Sequence, residues 1–396
     1  MNKVEELIQQ LCPNGVEYKK LGDIAVDIFR GSGIKREEVT ETGIPCVRYG
    51  EIYTTYGVWF DTCISHTDAS KIASAKYFEY GDILFAITGE SVKDIAKCCA
   101  YVGHERCLAG GDIVVLRHKE DPKYLSYALS TTDAQQQKSK GKVKSKVVHS
   151  SVPAIEEIVV PVPPLEIQRE IVRILDHFAE LTGKFTAQLA AELTARKKQY
   201  AYYRDTLFAL TNGIEYKTLP EISENCDRQR KPVTKGNRQA GVYPYYGASG
   251  IVDYVADYIF DGDYLLVSED GANLLARNTP IAFSISGKNW VNNHAHVLKF
   301  NFAELQKYVE IYLNSIDLSK YISGGAQPKL NQDNLNRIPI PVPSDDEVKK
   351  IVGVLTRFDS LCNDLTSGLP AEIEARKKQY EYYRDKLLTF KEISKC

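Results

Sequence analysis

Apolar residues recur at three- and four-residue steps in two stretches of the chain. This periodicity predicts amphipathic helices. In the first stretch the pair Pro163-Pro164 precedes the pattern, and proline is tolerated at a helix start. We expect two helices in each stretch, with breaks near Gly183 and at residues 367–370. The apolar positions of the first stretch are Ile167, Ile171, Ile174, Leu175, Phe178 and Leu181.

The two stretches are copies of one another. Residues 192–210 match residues 372–390 at 12 of 19 positions, with an offset of 180 residues. Residues 14–19 also match residues 212–217, with an offset of 198. A fixed offset marks a repeated structural unit. The chain therefore alternates a duplicated segment with one that has diverged.

The diverged segments contain short apolar runs separated by Gly, Asn and Asp, which predicts strands joined by long loops. The sequence thus predicts an α+β fold with β-rich domains at residues 1–160 and 212–340. We call these the first and second domains. Helical regions occupy residues 161–211 and 341–396, and we expect them to pack as an antiparallel coiled coil with pseudo-two-fold symmetry. The runs are residues 44–48, 83–85 and 113–116 in the first domain, and 243–247, 264–267 and 281–283 in the second.

The predicted helix length matches one turn of B-DNA. About 22 to 25 residues at 1.5 Å per residue span roughly 35 Å. One turn of B-DNA is about 34 Å long, the spacing at which two half-sites face the same side. A helical spacer between two DNA-reading domains is therefore physically reasonable.

Composition limits the class of protein. Apolar residues make up 43% of the chain and charged residues 26%, and no apolar run is long enough to cross a bilayer. Residues 1–10 lack the apolar core of a secretory signal, so we expect a cytoplasmic protein without a membrane partner. The net charge of −2 provides no general basic excess. Phosphate binding would therefore depend on local groups of basic residues.

Catalytic motifs are missing from the sequence. It contains no P-loop, no methyltransferase-like Asn-Pro-Pro-Tyr and no zinc-ligand spacing. We expect a protein that recognises a ligand without performing chemistry and that holds no metal or cofactor.

Two segments suggest contacts to DNA. Positive charge at alternate positions suits a strand or loop along a phosphate backbone, although a solvated loop also explains it. In residues 324–330, Gln327 can pair with adenine and Lys329 with guanine, although an ordinary turn is the alternative. Weaker candidates are Arg48, Tyr246, Asn292 and His294. The alternating lysines are Lys138, Lys140, Lys142, Lys144 and Lys146.

Several motifs together resemble the specificity subunits of type I restriction-modification systems, and the resemblance covers nearly the whole chain. The motifs are residues 161–168 (Pro-Val-Pro-Pro-Leu-Glu-Ile-Gln), the twin Arg-Lys-Lys-Gln-Tyr stretches, and residues 243–247 followed by Gly262-Asp263 and Gly271. The second copy departs from this pattern, because residues 343–346 read Pro-Ser-Asp-Asp without the following glutamine.

The resemblance implies a division of labour. Each β-rich domain would be a target-recognition domain that reads one half of a bipartite target in double-stranded DNA. The helices would set the spacing and bind two methyltransferase subunits, which would carry S-adenosylmethionine. Motor-nuclease subunits would complete the complex.

The twin helical repeats also carry candidate partner contacts, which could instead be phosphate contacts or an exposed helix face. These residues are Arg196, Lys197, Gln199, Arg376, Lys377 and Gln379. Two other functions remain open. One is the specificity subunit of a related system with a fused methyltransferase-nuclease partner, and the other is a helical scaffold that does not bind DNA.

Overall fold

The computed structural model describes residues 3–393 except 73, 140, 141, 145, 146, 210–213, 325, 326 and 365. At residues 142–144 and 147 only the backbone is described. The helices are α1 (Lys3–Leu11), α2 (Leu21–Ile24), α3 (Tyr49–Thr54), α4 (Pro122–Leu129), α5 (Thr132–Lys138), α6 (Val152–Glu156), α7 (Leu165–Ala209), α8 (Leu219–Ile222), α9 (Asn273–Ala276), α10 (Ala303–Ser315), α11 (Gln332–Asn336), α12 (Asp345–Asn363) and α13 (Leu369–Leu387).

The chain divides into two compact units. The first unit contains Met1–Ala187 and Ile373–Cys396, and the second contains Gln188–Glu372. Each unit therefore combines one β-rich domain with helix segments from both copies of the repeat. The division passes through α7 and α13, so it does not follow the ends of the duplicated segments.

The first unit holds two five-stranded sheets and smaller ribbons. Their strand orders are β2-β12-β8-β10-β5 and β3-β6-β4-β11-β7, with ribbons β13-β14-β9 and β1-β15. The strands are β1 (Tyr18–Lys20), β2 (Asp27–Arg30), β3 (Val39–Thr40), β4 (Ile44–Val47), β5 (Trp59–Phe60), β6 (Ser65–Thr67), β7 (Tyr77–Phe78), β8 (Ile83–Ala86), β9 (Thr88–Gly89), β10 (Cys98–Tyr101), β11 (Cys107–Ala109), β12 (Ile113–Arg117), β13 (Lys142–Lys144), β14 (Val147–His149) and β15 (Val159–Pro161).

The second unit repeats this plan with fewer strands. Its sheets are β17-β24-β21-β22 and β19-β18-β23-β20, with the ribbon β16-β25. The strands are β16 (Tyr216–Lys217), β17 (Ser223–Asn225), β18 (Ala240–Gly247), β19 (Gly250–Val255), β20 (Phe260–Asp261), β21 (Tyr264–Ser268), β22 (Ala282–Ile285), β23 (Lys288–Val291), β24 (Ala295–Phe300) and β25 (Ile340–Pro341).

These elements confirm the α+β fold class, with two β-rich domains and long helices. The expected interruption of the first helical stretch is wrong, because α7 continues through Gly183 without a break. One glycine in a helix interior costs only about 1 kcal/mol relative to alanine. The interruption of the second stretch is confirmed, since α12 ends at Asn363 and α13 begins at Leu369. There Pro370 lies in the first turn of α13, where proline favours a helix start.

Aromatic pairs join the two copies of the helical repeat inside each unit. In the first unit Phe178 stacks on Tyr383, with ring centroids 6.1 Å apart. In the second unit Phe358 packs against Tyr203 at 5.7 Å. Each residue of one pair lies 180 positions from a residue of the other. The two units therefore share one aromatic contact. In the first unit the first copy of the repeat supplies the phenylalanine and the second copy the tyrosine, and in the second unit these roles are reversed.

A tyrosine from a domain helix anchors each β-rich domain to its helical region. In the first unit the Tyr124 hydroxyl of α4 donates to the Pro161 carbonyl at 3.1 Å. In the second unit the Tyr308 hydroxyl of α10 donates to the Pro341 carbonyl at 2.8 Å. These contacts make α4 and α10 equivalent. Neither helix was predicted from the sequence.

Gln168 adds a polar link in the first unit alone. Its side chain is fully buried. The Oε1 atom accepts from the Asp121 amide at 2.9 Å, while Nε2 donates to the Pro163 carbonyl at 2.8 Å and to Glu120 at 2.6 Å. At the same repeat position of the second unit, Val348 packs in the apolar core. The missing glutamine of the second copy is thus replaced by an apolar contact.

Candidate nucleic-acid interface

The two segments that the sequence suggests for DNA contact occupy equivalent positions in the two domains. Each is followed by a short helix with a capped N-terminus: Ser151 caps α6, which comes after β14 in the first domain, and Asn331 caps α11, which directly follows the second segment. Each is also linked to the residues that follow a central strand, in the first domain through β14, which pairs with β13. In the first domain β14 pairs with β9, which follows β8. In the second domain Lys329 bridges to Asp270, which follows β21. Segments of unrelated sequence are therefore held in the same way.

The first segment corrects one site prediction. The Lys138 side chain is only 5% exposed. Its ammonium donates to the Leu129 carbonyl at 2.6 Å and lies 5.8 Å from the centre of the Phe85 ring. Lys138 therefore stabilises the interior of the domain and is not available to a phosphate. The alternating pattern concealed this because burial depends on residues distant in sequence.

The remaining lysines of this segment are only partly described. Lys142 and Lys144 belong to β13, whose backbone pairs with β14. Lys140 and Lys146 lie outside the described residues. The DNA contacts predicted for these four lysines remain predictions.

The second segment places its polar side chains at the surface. Gln327 is exposed, and the Lys329 side chain is 51% exposed. The Lys329 ammonium lies 3.1 Å from Glu269 Oε1. The backbone is fixed on both sides, because Leu330 donates to the Glu269 carbonyl and Pro328 accepts from Gly271. We call residues 323–330 the reading loop, of which residues 325 and 326 are not described.

A buried group of charged side chains lies behind the reading loop. His296 contacts Asp227 and the Leu330 carbonyl, while Arg230 joins Asp227 to Glu269. Burial by itself would raise the pKa of Asp227, but the hydrogen bond and charge of His296, together with the Val297 amide and Arg230, hold it below its usual value. Burial likewise opposes ionisation of Glu269, whose pKa is lowered by Arg230, His296 and Lys329. Both carboxylates are therefore ionised at neutral pH.

The weaker candidates fall in different environments. Asn292 is buried, and its Oδ1 accepts from the His294 amide at 2.8 Å, so it supports a turn and cannot read a base as placed. His294 is half exposed and contacts Asp270 at 2.8 Å. Tyr246 is half buried and packs against Phe283 with ring centroids 6.1 Å apart. Arg48 is half buried just before α3. Of these side chains, His294 lies nearest in sequence to the charged group behind the reading loop.

The twin Arg-Lys-Lys-Gln-Tyr stretches form the same local contact in both copies. Arg196 donates to Gln199 at 2.9 Å, and Arg376 donates to Gln379 at 3.2 Å. Lys197 and Lys377 are exposed. Two neighbouring tyrosines that were not predicted as contacts are exposed at the surface: Tyr202 is 66% exposed and Tyr382 is 62% exposed. Each copy therefore presents a basic stretch beside an exposed tyrosine.

Asp176 of α7 gathers three donors in the first unit. Its carboxylate accepts from the Trp59 indole at 3.1 Å, the Tyr127 hydroxyl at 2.8 Å and the Lys123 ammonium at 2.8 Å. The Lys123 ammonium also lies 3.5 Å from the Trp59 ring centre, within the range of a cation–π contact. In the second copy the same repeat position is Thr356. This polar cluster is therefore specific to the first domain.

The class of protein follows from these features and from comparison with known proteins. Two β-rich domains present differing loops on equivalent supports, and duplicated helices carry the domains. Across the described residues, no helix has the length and apolar character needed to span a membrane. Residues 13–195 and 212–375 match the type I restriction modification DNA specificity domain. The chain belongs to this family, which confirms a DNA-specificity role and a subunit that is not itself an enzyme.

Individual relatives agree with this assignment. A putative type I restriction enzyme specificity subunit of Haemophilus influenzae is 39% identical over 186 residues, which span 46% of this chain and 48% of that protein. A putative type I specificity subunit of Mycoplasma pneumoniae is 33% identical over 244 residues, spanning 58% of this chain and 92% of the relative. A solved chain from a study of assembly and conformational transition in the type I R-M system has a TM-score of 0.66 at 16% identity, covering 96% of this chain and 98% of its own. That last likeness concerns the fold.

Proposed function

We propose that the two β-rich domains each read one half of a bipartite target in double-stranded DNA, and that the reading loop makes the contacts of the second domain. The observation that carries this proposal is the equivalent support of two unrelated segments. Duplication kept the capped helix and the adjoining strands, while the segments between them diverged. Such divergence on a fixed support is expected where each loop reads a different base sequence.

Gln327 and Lys329 are the proposed contacts of the second domain, and the β13–β14 segment supplies those of the first. An exposed lysine contributes mainly through phosphate, or through a guanine in the major groove. The Glu269 carboxylate beside Lys329 holds the ammonium in one place before DNA arrives. Binding then exchanges that ion pair for a contact to DNA.

The helical repeats are the proposed docking sites for two methyltransferase subunits. Each repeat presents Arg-Lys-Lys-Gln and an exposed tyrosine, and aromatic and arginine side chains are enriched in protein interfaces. The identical surfaces suit two copies of one partner. S-adenosylmethionine would be bound by that partner, motor-nuclease subunits would complete the restriction complex, and the assembly would act on DNA in the cytoplasm.

The first experiment maps methylated adenine across the genome of cells with and without this gene and its methyltransferase partner. A bipartite motif that needs both genes supports the proposal and gives the target. Absence of any gene-dependent motif, together with no DNA binding by the purified complex, would favour a scaffold without a DNA role.

A lysine pair then tests the reading loop. We expect Lys329→Ala to weaken DNA binding and to lower the slope of log K against log salt by about one, as for the loss of one phosphate contact. Lys299→Ala is the matched control, since Lys299 is an exposed lysine at the other end of β24 from His296. Equal effects of the two substitutions would contradict the assignment of the loop.

A further inference from the structure

The reading loop of the second domain is anchored on a buried histidine. The His296 side chain is 1% exposed. Its Nδ1 lies 2.6 Å from Asp227 Oδ2, and its Nε2 lies 2.8 Å from the Leu330 carbonyl oxygen. Leu330 is itself fully buried and directly follows Lys329. The imidazole ring thus connects the interior of the domain to the end of the loop.

Both partners of the ring are hydrogen-bond acceptors. A carbonyl oxygen only accepts, and an ionised carboxylate only accepts, whereas a neutral imidazole carries one N–H. Asp227 is held ionised by the Val297 amide, which donates to Oδ1 at 2.8 Å, and by Arg230 at 3.3 Å from Oδ2. The two contacts of His296 therefore require a proton on each ring nitrogen, which makes the ring a cation.

The imidazolium would complement the charge of the buried side chains around it. The charged groups facing the ring are Asp227, Glu269, whose Oε2 lies 3.9 Å from Nδ1, and Arg230, which pairs with both carboxylates. The imidazolium brings this group to two positive and two negative charges. Lys329 contacts the outer oxygen of Glu269 at the surface. With a neutral ring, Asp227, Glu269 and Arg230 carry one excess negative charge, which only the half-exposed Lys329 offsets.

The first domain lacks this group of side chains. Gly81-Asp82 and Gly262-Asp263 occupy the same position before β8 and β21. Counted from these motifs, Val267 of the second domain corresponds to Ala86 of the first. On the neighbouring strands, His296 pairs with Val267 and Ile113 pairs with Ala86. The same count places Thr88 where the second domain has Glu269. Ile113 is fully buried and carries no proton. The first domain therefore has no counterpart of the buried histidine, and its histidine on β14, His149, is exposed and lies 3.3 Å from the Thr88 hydroxyl.

We propose that His296, as an imidazolium, is a positioning residue for the DNA contacts of the reading loop, so that recognition by the second domain weakens as the pH rises while recognition by the first domain does not. This inference rests on the proposed function of the loop. When the proton is lost, either a bare Nδ1 faces the Asp227 carboxylate or the buried Leu330 carbonyl loses its donor. Either outcome shifts Leu330 and with it Lys329.

The protonation state can be measured without DNA. Histidine labelled with ¹⁵N in the full chain distinguishes a neutral ring from a doubly protonated one, and His296→Gln identifies the signal. We expect both ring nitrogens of His296 to be protonated near neutral pH. A neutral ring at that pH would overturn the inference whatever the reading loop does.

The functional test uses the complex with the methyltransferase partner and the target found by methylation mapping. Dissociation constants are measured for the intact duplex and for duplexes with one altered half-site, from about pH 5 to about pH 9, a range that includes the charge change of histidine between about pH 5 and pH 8. One proton changes binding by at most about tenfold per pH unit. We expect discrimination at the second half-site to fall by about tenfold or more, and discrimination at the first to stay within about twofold. Equal pH dependence at both half-sites would refute the role of His296.

Two variants separate His296 from other causes. In Asp227→Asn the amide can donate to a bare Nδ1 while its oxygen still accepts from Val297, so a neutral ring suffices. We expect this variant to keep discrimination and to lose its pH dependence. His294→Asn removes the exposed neighbouring histidine and should leave the pH profile unchanged. A wild-type profile in Asp227→Asn, or a flat one in His294→Asn, contradicts the proposal. If Lys329→Ala leaves discrimination at the second half-site unchanged near pH 7, the proposed function of the loop has failed instead.

Discussion

Gln168→Val measures how far the junction between the first domain and α7 depends on buried polar contacts. Valine is the residue at the equivalent position 348, where it is fully buried. In the first copy the substitution removes the partner of the Asp121 amide and of the Pro163 carbonyl. An unsatisfied buried polar group costs about 1–3 kcal/mol, and the apolar burial of valine offsets about 1 kcal/mol. With two such groups, we expect the first unit to lose about 1–5 kcal/mol of unfolding free energy.

The assay must resolve the two units, since a chain with two units need not unfold in one step. Hydrogen exchange of amides in α4 and in residues 165–187 reports the first unit, and exchange in α10 reports the second. Gln379→Val is the control because Gln379 is exposed on α13, and such surface changes stay within about 0.5 kcal/mol. A Gln168→Val variant within about 0.5 kcal/mol of wild type would refute the reasoning, as would an equal loss of protection in α10.

Three further predictions test particular side chains. Asp176→Thr introduces the residue of the second repeat and leaves Lys123 without its carboxylate. We expect urea unfolding to show a loss of about 2–3 kcal/mol in unfolding free energy. The control Asp205→Thr, at an exposed carboxylate, should lose less than about 0.5 kcal/mol. Lys138→Met removes the donor to the Leu129 carbonyl, so thermal unfolding should show a loss of about 1–2 kcal/mol in unfolding free energy. The affinity for DNA should be unchanged. Weaker DNA binding by a folded variant would instead support a contact between Lys138 and phosphate. Burial raises the pKa of Asp82 to about 6, against the opposing effects of the Glu79 amide and Arg117. The folded state therefore holds this proton more tightly than the unfolded chain, and the resulting stability of the wild type is lost as the pH rises through about 6. Between about pH 4 and pH 7, the unfolding free energy of Asp82→Asn should therefore rise by up to about 3 kcal/mol relative to that of the wild type. If urea unfolding gives the same difference between the two proteins at both pH values, the raised pKa of Asp82 is contradicted.

The elements that the sequence predicts well are those with a local signal. The strands β8, β12, β18 and β21 follow from apolar runs bounded by Gly, Asn or Asp, and the break before α13 follows from residues 367–370. Helix α4 was missed because Tyr124 to Leu129 are all buried. A helix that is buried on every side shows no amphipathic period, so periodicity cannot reveal it.

The candidate site could be predicted only in part, because its support is assembled from distant residues. The position of the reading loop followed from its Gly, Gln and Lys residues. Its anchor did not, since Asp227, Glu269, His296 and Leu330 come from separate elements of the second domain. Lys138 was misassigned for the same reason, because the carbonyl it contacts belongs to the preceding helix. The nearest residue that the sequence suggested was His294, two positions before His296.

The exchange of helix copies between the units has a consequence for the order in which the chain folds during synthesis. All of the second unit lies between Gln188 and Glu372, so its parts emerge from the ribosome together. The first unit needs Ile373–Cys396 as well, and the stacking partner of Phe178 is Tyr383. Until those residues have been translated, the Phe178 ring of α7 lacks its stacking partner. The domain that is made first is therefore the domain that is completed last.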